Sequence, residues 1–186
     1  MLPARAFWFL RHGETDWNAQ GLAQGDRDIP LNPRGVAQAR EAAVALRGRG
    51  IRSIVASPLS RAADTAAVVA NALDLPVATE PDLREVAFGD QEGLPMGPWY
   101  YDWLAAAYTP AGGESFAQLR TRGAAALARA LAHEPPVLVV AHGALFRALR
   151  AEMGLDPKIP TPNALPLFCE PGTPWTLTAI GDYPNA

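Results

Sequence analysis
Two short apolar runs in this chain each end in His-Gly: Phe7-Trp-Phe-Leu-Arg-His-Gly13 near the start, and Val137-Leu-Val-Val-Ala-His-Gly143 near the end. Neither alternates polar with apolar residues. Each therefore suits a strand buried on both faces, and such strands belong to parallel sheets covered by helices. Parallel neighbours need long crossovers, so what lies between the two runs has to supply helices and further strands.

It does. Asn32 stands as an N-cap with Pro33 at the first helical position, and Val36, Ala39, Ala43 and Leu46 follow at helical spacing until Gly48 or Gly50. Ser53 to Ala56 reads as a second strand, followed by a helix striped by Ala62, Ala66, Val69 and Leu73, with Ser57 expected as its cap rather than as a donor to a bound anion. Val77 to Thr79 reads as a third strand. Ser115 and Gln118 fit a capping box ahead of a long helix through Phe116, Leu119, Leu127 and Leu131, which Pro135-Pro136 ends. Leu145, Leu149 and Met153 trace a helix behind the second His-Gly, and Ala164 to Phe168 with Trp175 to Ile180 suit a hairpin at the sheet edge.

Strands alternating with helices imply a three-layer α/β/α sandwich with a mostly parallel central sheet. Residues 1–186 are read as one domain, with an irregular insertion at about 88–113 that holds one short helix from Trp99 to Ala107. Asp16 to Pro30 lacks any period and is expected to be a loop.

In such sheets ligands bind beyond the carboxyl ends of the strands. Arg11 and His12, Ser57 to Arg61, Glu85, and His142 all follow an expected strand, so they should meet at one edge. The third histidine, His133, sits at an expected helix end, which explains it without a function. Two imidazoles with Glu85 could form a His2Glu zinc site. Arg11 and Arg61 argue against it, because they would repel a divalent cation and attract a dianion; no metal and no cofactor is expected. The formal net charge of -3 argues against a nucleic-acid partner. The single cysteine, Cys169, permits no intramolecular disulfide and is expected to be a core residue. No run approaches a membrane span, and the apolar stretch at the start is too short for a secretory leader, so a soluble cytoplasmic protein is expected.

The residues also carry a family resemblance. LRHGETDWN (10–18), SPLSRAADTA (57–66), LREVAFGDQEG (83–93), GGESF (112–116) and VVAHGAL (139–145) occur in the order found in the histidine phosphatase superfamily, the family of phosphoglycerate mutases and related acid phosphatases. The likeness spans nearly the whole chain. It implies that His12 is the nucleophile that becomes phosphohistidine and that Glu85 is the proton donor. Arg11, Arg61, His142 and Asn18 would then hold the phosphoryl oxygens. Glu14 and Thr15 complete the first block, either in the site or only holding its loop.

The segment from Phe88 to Gly113 is aromatic and carries no Lys or Arg. Trp99, Tyr100 and Trp103 are the candidates within it for contact with substrate. Mutases resembling this family place basic residues there, so the expectation is a metal-independent phosphomonoesterase acting on a small phosphorylated metabolite. A phosphoglycerate mutase and a non-catalytic phospho-ligand binding protein remain the alternatives.

Overall fold
The structure is a computed structural model and describes residues 2–180. Its sheet has six strands: β1 (Phe7–Arg11), β2 (Ser53–Ala56), β3 (Val77–Thr79), β4 (Val137–Ala141), β5 (Pro166–Glu170) and β6 (Thr176–Ala179). They lie in the order β3-β2-β4-β1-β5-β6. The four strands from β3 to β1 are parallel, and β5 and β6 close that edge antiparallel. The expected mostly parallel sandwich is the observed fold.

The two apolar runs are unbroken because both of their faces are covered. Side chains alternate across a strand. Phe7 and Phe9 of β1, with Val137, Val139 and Ala141 of β4, enter the core beneath α5 (Phe116–Ala130) and α6 (Gly143–Glu152). Trp8, Leu10, Leu138 and Val140 enter the other core, beneath α2 (Pro33–Leu46) and α3 (Ser60–Leu73). Asn32 caps α2 by accepting from the Gly35 amide at 2.8 Å, and Ser115 and Gln118 form the expected capping box on α5.

Four local expectations need correction. The segment read as loop contains one helical turn, α1 (Asp16–Ala19), whose capping box pairs Thr15 with Asn18. An Asn at the third position replaces the usual Glu or Gln of that motif, which is why the pattern did not stand out. The short helix α4 (Trp99–Leu104) stops three residues early, and Ala106 beyond it takes φ +58°, outside helical space. The fifth strand starts at Pro166 rather than Ala164, which itself adopts φ +51°. The N-cap of α3 is Leu59, with no side-chain bond, so Ser57 is not its cap.

Residues 88–113 hold a 3-10 turn (Gly89–Gln91) and α4. Phe88, Tyr100 and Trp103 form one aromatic cluster with Phe116 at the start of α5. Backbone bonds from Met96 to Gly21, from Gly93 to Ala23 and from Ala23 to Leu94, all 2.8 to 2.9 Å, tie this segment to the loop after α1. These bonds fasten the segment to that loop. Among the described residues no helix is long and apolar enough to cross a membrane.

Candidate active site
The parallel ladder between β1 and β4 pairs Arg11 with Ala141, so the next residue on each strand is a histidine. The amide of His12 continues the ladder by donating to the Ala141 carbonyl at 3.0 Å, and the two imidazole centroids lie 5.3 Å apart. Sheet register alone thus brings together two side chains that are 130 positions apart.

Both glycines after these histidines have steric reasons to be glycine. A Cβ on Gly13 would overlap the Gly35 carbonyl, because the loop after β1 packs backbone to backbone on the first turn of α2. A Cβ on Gly143 would stand 3.2 Å from Nε of Arg11, whose side chain crosses the start of α6. Gly13 also donates to Thr65 Oγ1 at 3.0 Å, which fastens the loop to α3.

His12 is 2% exposed, and its Nδ1 donates to the Gly13 carbonyl at 2.7 Å, since a carbonyl can only accept. The ring's remaining nitrogen, Nε2, therefore carries the lone pair. Burial first, then the Arg11 and Arg61 charges, hold the imidazole well below its ordinary pKa, so it is neutral at pH 7. His142 is depressed likewise, by burial and then by Arg61, His12 and Arg11. Its Nε2 lies 2.6 Å from Ser57 Oγ, which is what Ser57 does in place of capping a helix. Its Nδ1 is buried without a partner.

Arg61 is fully buried at the start of α3. Its NH1 and NH2 donate to the carbonyls of Arg27 and Gly25 at 2.6 and 2.8 Å, while Nε makes no hydrogen bond. Arg11 donates through NH1 to the Thr161 carbonyl at 2.7 Å. Asn18 uses its carboxamide oxygen to accept from the Thr15 amide and from Asn163 Nδ2, both at 3.2 Å, which leaves the amide nitrogen as its donor toward a ligand.

Glu85 sits on the N-terminus of α6. Its Oε2 accepts from the Ala144 amide at 2.9 Å, and its Oε1 accepts from Leu145 at 2.8 Å and Val86 at 3.1 Å. Arg122 of α5 holds the backbone below it, donating to the carbonyls of Asp82 and Arg84 while bound to the Glu114 carboxylate.

A cavity of about 160 Å³ opens between these groups. Arg11, His12, Asn18, Arg61 and Glu85 line it. His142 lies beside His12 at the end of the neighbouring strand and is not among the residues that line the cavity. Of the three aromatic candidates only Tyr100 reaches the cavity; Trp103 is fully buried and donates to the Glu114 carbonyl at 2.9 Å, and Trp99 packs edge-on against Phe88. Cys169 is a buried core residue whose thiol is pushed upward by burial. Arg34 and Arg84 make exposed ion pairs with Glu14 and Asp82.

Sequence reasoning did not name Arg147, Thr161 or Gln24, which also line the cavity. Arg147 had a signal: it lies one helical turn beyond Gly143 and so shares its face. Thr161 had none, lying in a Pro-rich stretch without period. Among the described residues no group of three or more His, Cys, Asp or Glu side chains is placed to hold a metal ion.

Residues 7–166 match the family model described as histidine phosphatase superfamily (branch 1). A Bacillus subtilis protein named uncharacterized phosphatase PhoE is 39% identical over 157 residues, which cover 83% of this chain and 80% of that protein. A Proteus mirabilis protein named probable phosphoglycerate mutase GpmB is 37% identical over 161 residues, 80% of this chain and 74% of that one. Among solved structures, a mycobacterial glucosyl-3-phosphoglycerate phosphatase complexed with VO3 aligns with a TM-score of 0.82 at 32% identity, covering 95% of this chain and 97% of its own.

Proposed function
The chain belongs to the histidine phosphatase superfamily, as a histidine-type phosphatase, and from that premise we propose that it hydrolyses small phosphomonoesters through a phosphohistidine on His12. One observation carries the reading: a buried, neutral His12, fixed by its Nδ1 bond to Gly13, lines the cavity between Arg11 and Arg61.

Nε2 of His12 attacks phosphorus and the ester P–O bond breaks. Arg11, Arg61, His142 and Asn18 take the equatorial oxygens, and this stabilises the charge of transfer. Glu85 gives its proton to the departing alkoxide, and as carboxylate it then takes a proton from the water that attacks phosphohistidine. Phosphate leaves, and His12 and Glu85 return to their starting states. The balance closes without an ion, because guanidinium groups already supply the positive charge. Residues 88–113 form the wall on the leaving-group side through Phe88, Met96 and Tyr100. The working compartment is the cytoplasm, where a lone buried thiol needs no partner.

Hydrolysis of 4-nitrophenyl phosphate is expected to persist in excess chelator and to vanish in His12→Ala. Full activity in that variant would refute the reading. The similarity to a protein named for mutase activity supports a second reading. Rapid interconversion of 2- and 3-phosphoglycerate with little phosphate release would favour it. Tight phosphate binding with no turnover of any ester would point instead to a binding protein.

A further inference from the structure
The segment nearest the leaving group carries no cation, yet the cavity wall does hold a third arginine, supplied by α6. Arg147 lines the cavity together with Tyr100 and Thr161. Its guanidinium carbon lies 5.5 Å from the centre of the Tyr100 ring, within cation–π range. NH1 donates to the Pro157 carbonyl at 2.8 Å and to the Lys158 carbonyl, which anchors that end of the group. The Nε and NH2 edge makes no hydrogen bond among the described residues, and no carboxylate pairs with Arg147 there.

A second observation is independent of that arginine. Thr161 is 3% exposed, lines the same cavity, and its Oγ1 has no partner. A buried hydroxyl left unpaired is costly, and a ligand oxygen would satisfy it. The wall presents three guanidinium groups and one carboxyl, a net positive lining.

We propose that Arg147 and Thr161 form an anion subsite for the leaving group, so that the preferred substrates are phosphomonoesters of alcohols bearing a carboxylate. This assignment rests on the phosphatase reading above for the place of the phosphoryl group. The Nε and NH2 edge, which makes no hydrogen bond among the described residues, matches the two oxygens of a carboxylate side-on, which an ammonium could not do. The Thr161 hydroxyl donates to the same group.

Non-hydrolysable probes separate recognition from turnover. Calorimetry would compare phenylphosphonate with its 3-carboxy and 4-carboxy derivatives on the wild type, Arg147→Met, Arg147→Lys and Thr161→Val. At least one carboxylated isomer is expected to bind the wild type about tenfold to a hundredfold tighter than phenylphosphonate, the range for charge-assisted hydrogen bonds. That ratio should fall to near one in Arg147→Met, recover only partly in Arg147→Lys, and drop several-fold in Thr161→Val. Because Arg147 also holds residues 157–158, melting curves accompany each variant, and the Thr161→Val ratio carries the test if Arg147→Met unfolds. Equal binding of all three probes by the wild type, or a ratio unchanged in Arg147→Met and Thr161→Val, would overturn the subsite. Turnover of 4-nitrophenyl phosphate by the wild type, measured alongside, reports separately on the phosphatase reading.

Discussion

Replacing Glu92 tests how Arg61 is kept in place, although Glu92 does not line the cavity. Its side chain is 5% exposed. Oε1 accepts from the Phe88 amide at 2.9 Å and from the Asp26 amide at 3.3 Å, and Oε2 accepts from Arg27 Nε at 2.8 Å. The residues it grips at 26 and 27 flank and include the carbonyls of Gly25 and Arg27 that hold the Arg61 guanidinium.

Hydrogen bonds to a charged group contribute about 1.5 to 3 kcal/mol each, and the longer bond to Asp26 should fall at or below that range. The Arg27 side chain is 66% exposed, so its ion pair is screened and adds about 1 kcal/mol or less. Glu92→Ala should therefore cost about 3 kcal/mol in urea unfolding. It should also lower kcat/KM for 4-nitrophenyl phosphate roughly a hundredfold, the penalty expected when a binding group shifts by about 1 Å. Glu92→Gln keeps one oxygen for both backbone donors but loses the screened pair and the charge assistance of those bonds, so about 1 to 2 kcal/mol and a severalfold loss of rate are expected. If Gln proves as damaging as Ala, charge pairing matters rather than backbone acceptance. If Ala leaves stability and rate unchanged, the proposed linkage from Glu92 to Arg61 is wrong.

Two further outcomes follow from the same geometry. Glu85→Gln should lower kcat/KM, which reports only as far as formation of phosphohistidine, by roughly 10²- to 10⁴-fold for alkyl phosphates and far less for 4-nitrophenyl phosphate, whose leaving group needs little protonation; equal losses of kcat/KM on both would remove Glu85 from the role of acid. His12 and His142 both bind protons less readily folded than unfolded, where their pKa is near 6.5. Their contribution to stability is therefore fully present above pH 6.5 and is lost as pH falls toward the folded values. Each should add a slope of about 1.4 kcal/mol per pH unit inside that window. Urea titrations from pH 7.5 to 5 should show this slope in the wild type and not in the His12→Asn, His142→Asn double variant, and parallel curves would contradict it.

The central strands were legible because burial on both faces leaves an unbroken apolar run, and β1 and β4 carry the two clearest examples. Their lengths also set where each run stops, so His12 and His142 could be placed at one edge before their 5.3 Å separation was seen. The capped helices α2 and α5 were legible for an equally local reason, since a cap acts within four residues. Trp103 and Tyr100 show the limit. They are three positions apart on a helix of six residues, and nothing in their chemistry distinguishes the ring that meets the core from the ring that meets the cavity. Arg147 was overlooked because cations were sought in the segment over the site, whereas the cation came from beneath it on α6. Thr161 and Glu92 depend on where long loops fold back, and no periodic pattern records that.

The order of strands also bears on how the protein is made. Every partner of β1 comes late: β4 begins at Val137 and β5 at Pro166, so Phe7-Trp-Phe-Leu has no neighbour until more than 120 further residues have been synthesised. At roughly 5 to 20 residues per second that wait is on the order of ten seconds. Throughout it an aromatic strand that will occupy the middle of the sheet stays open to solvent or to a chaperone. The earlier β2-α3-β3 unit can pair locally in the meantime. Central placement of the first strand thus gives the finished molecule its most protected site and the growing chain its longest exposure.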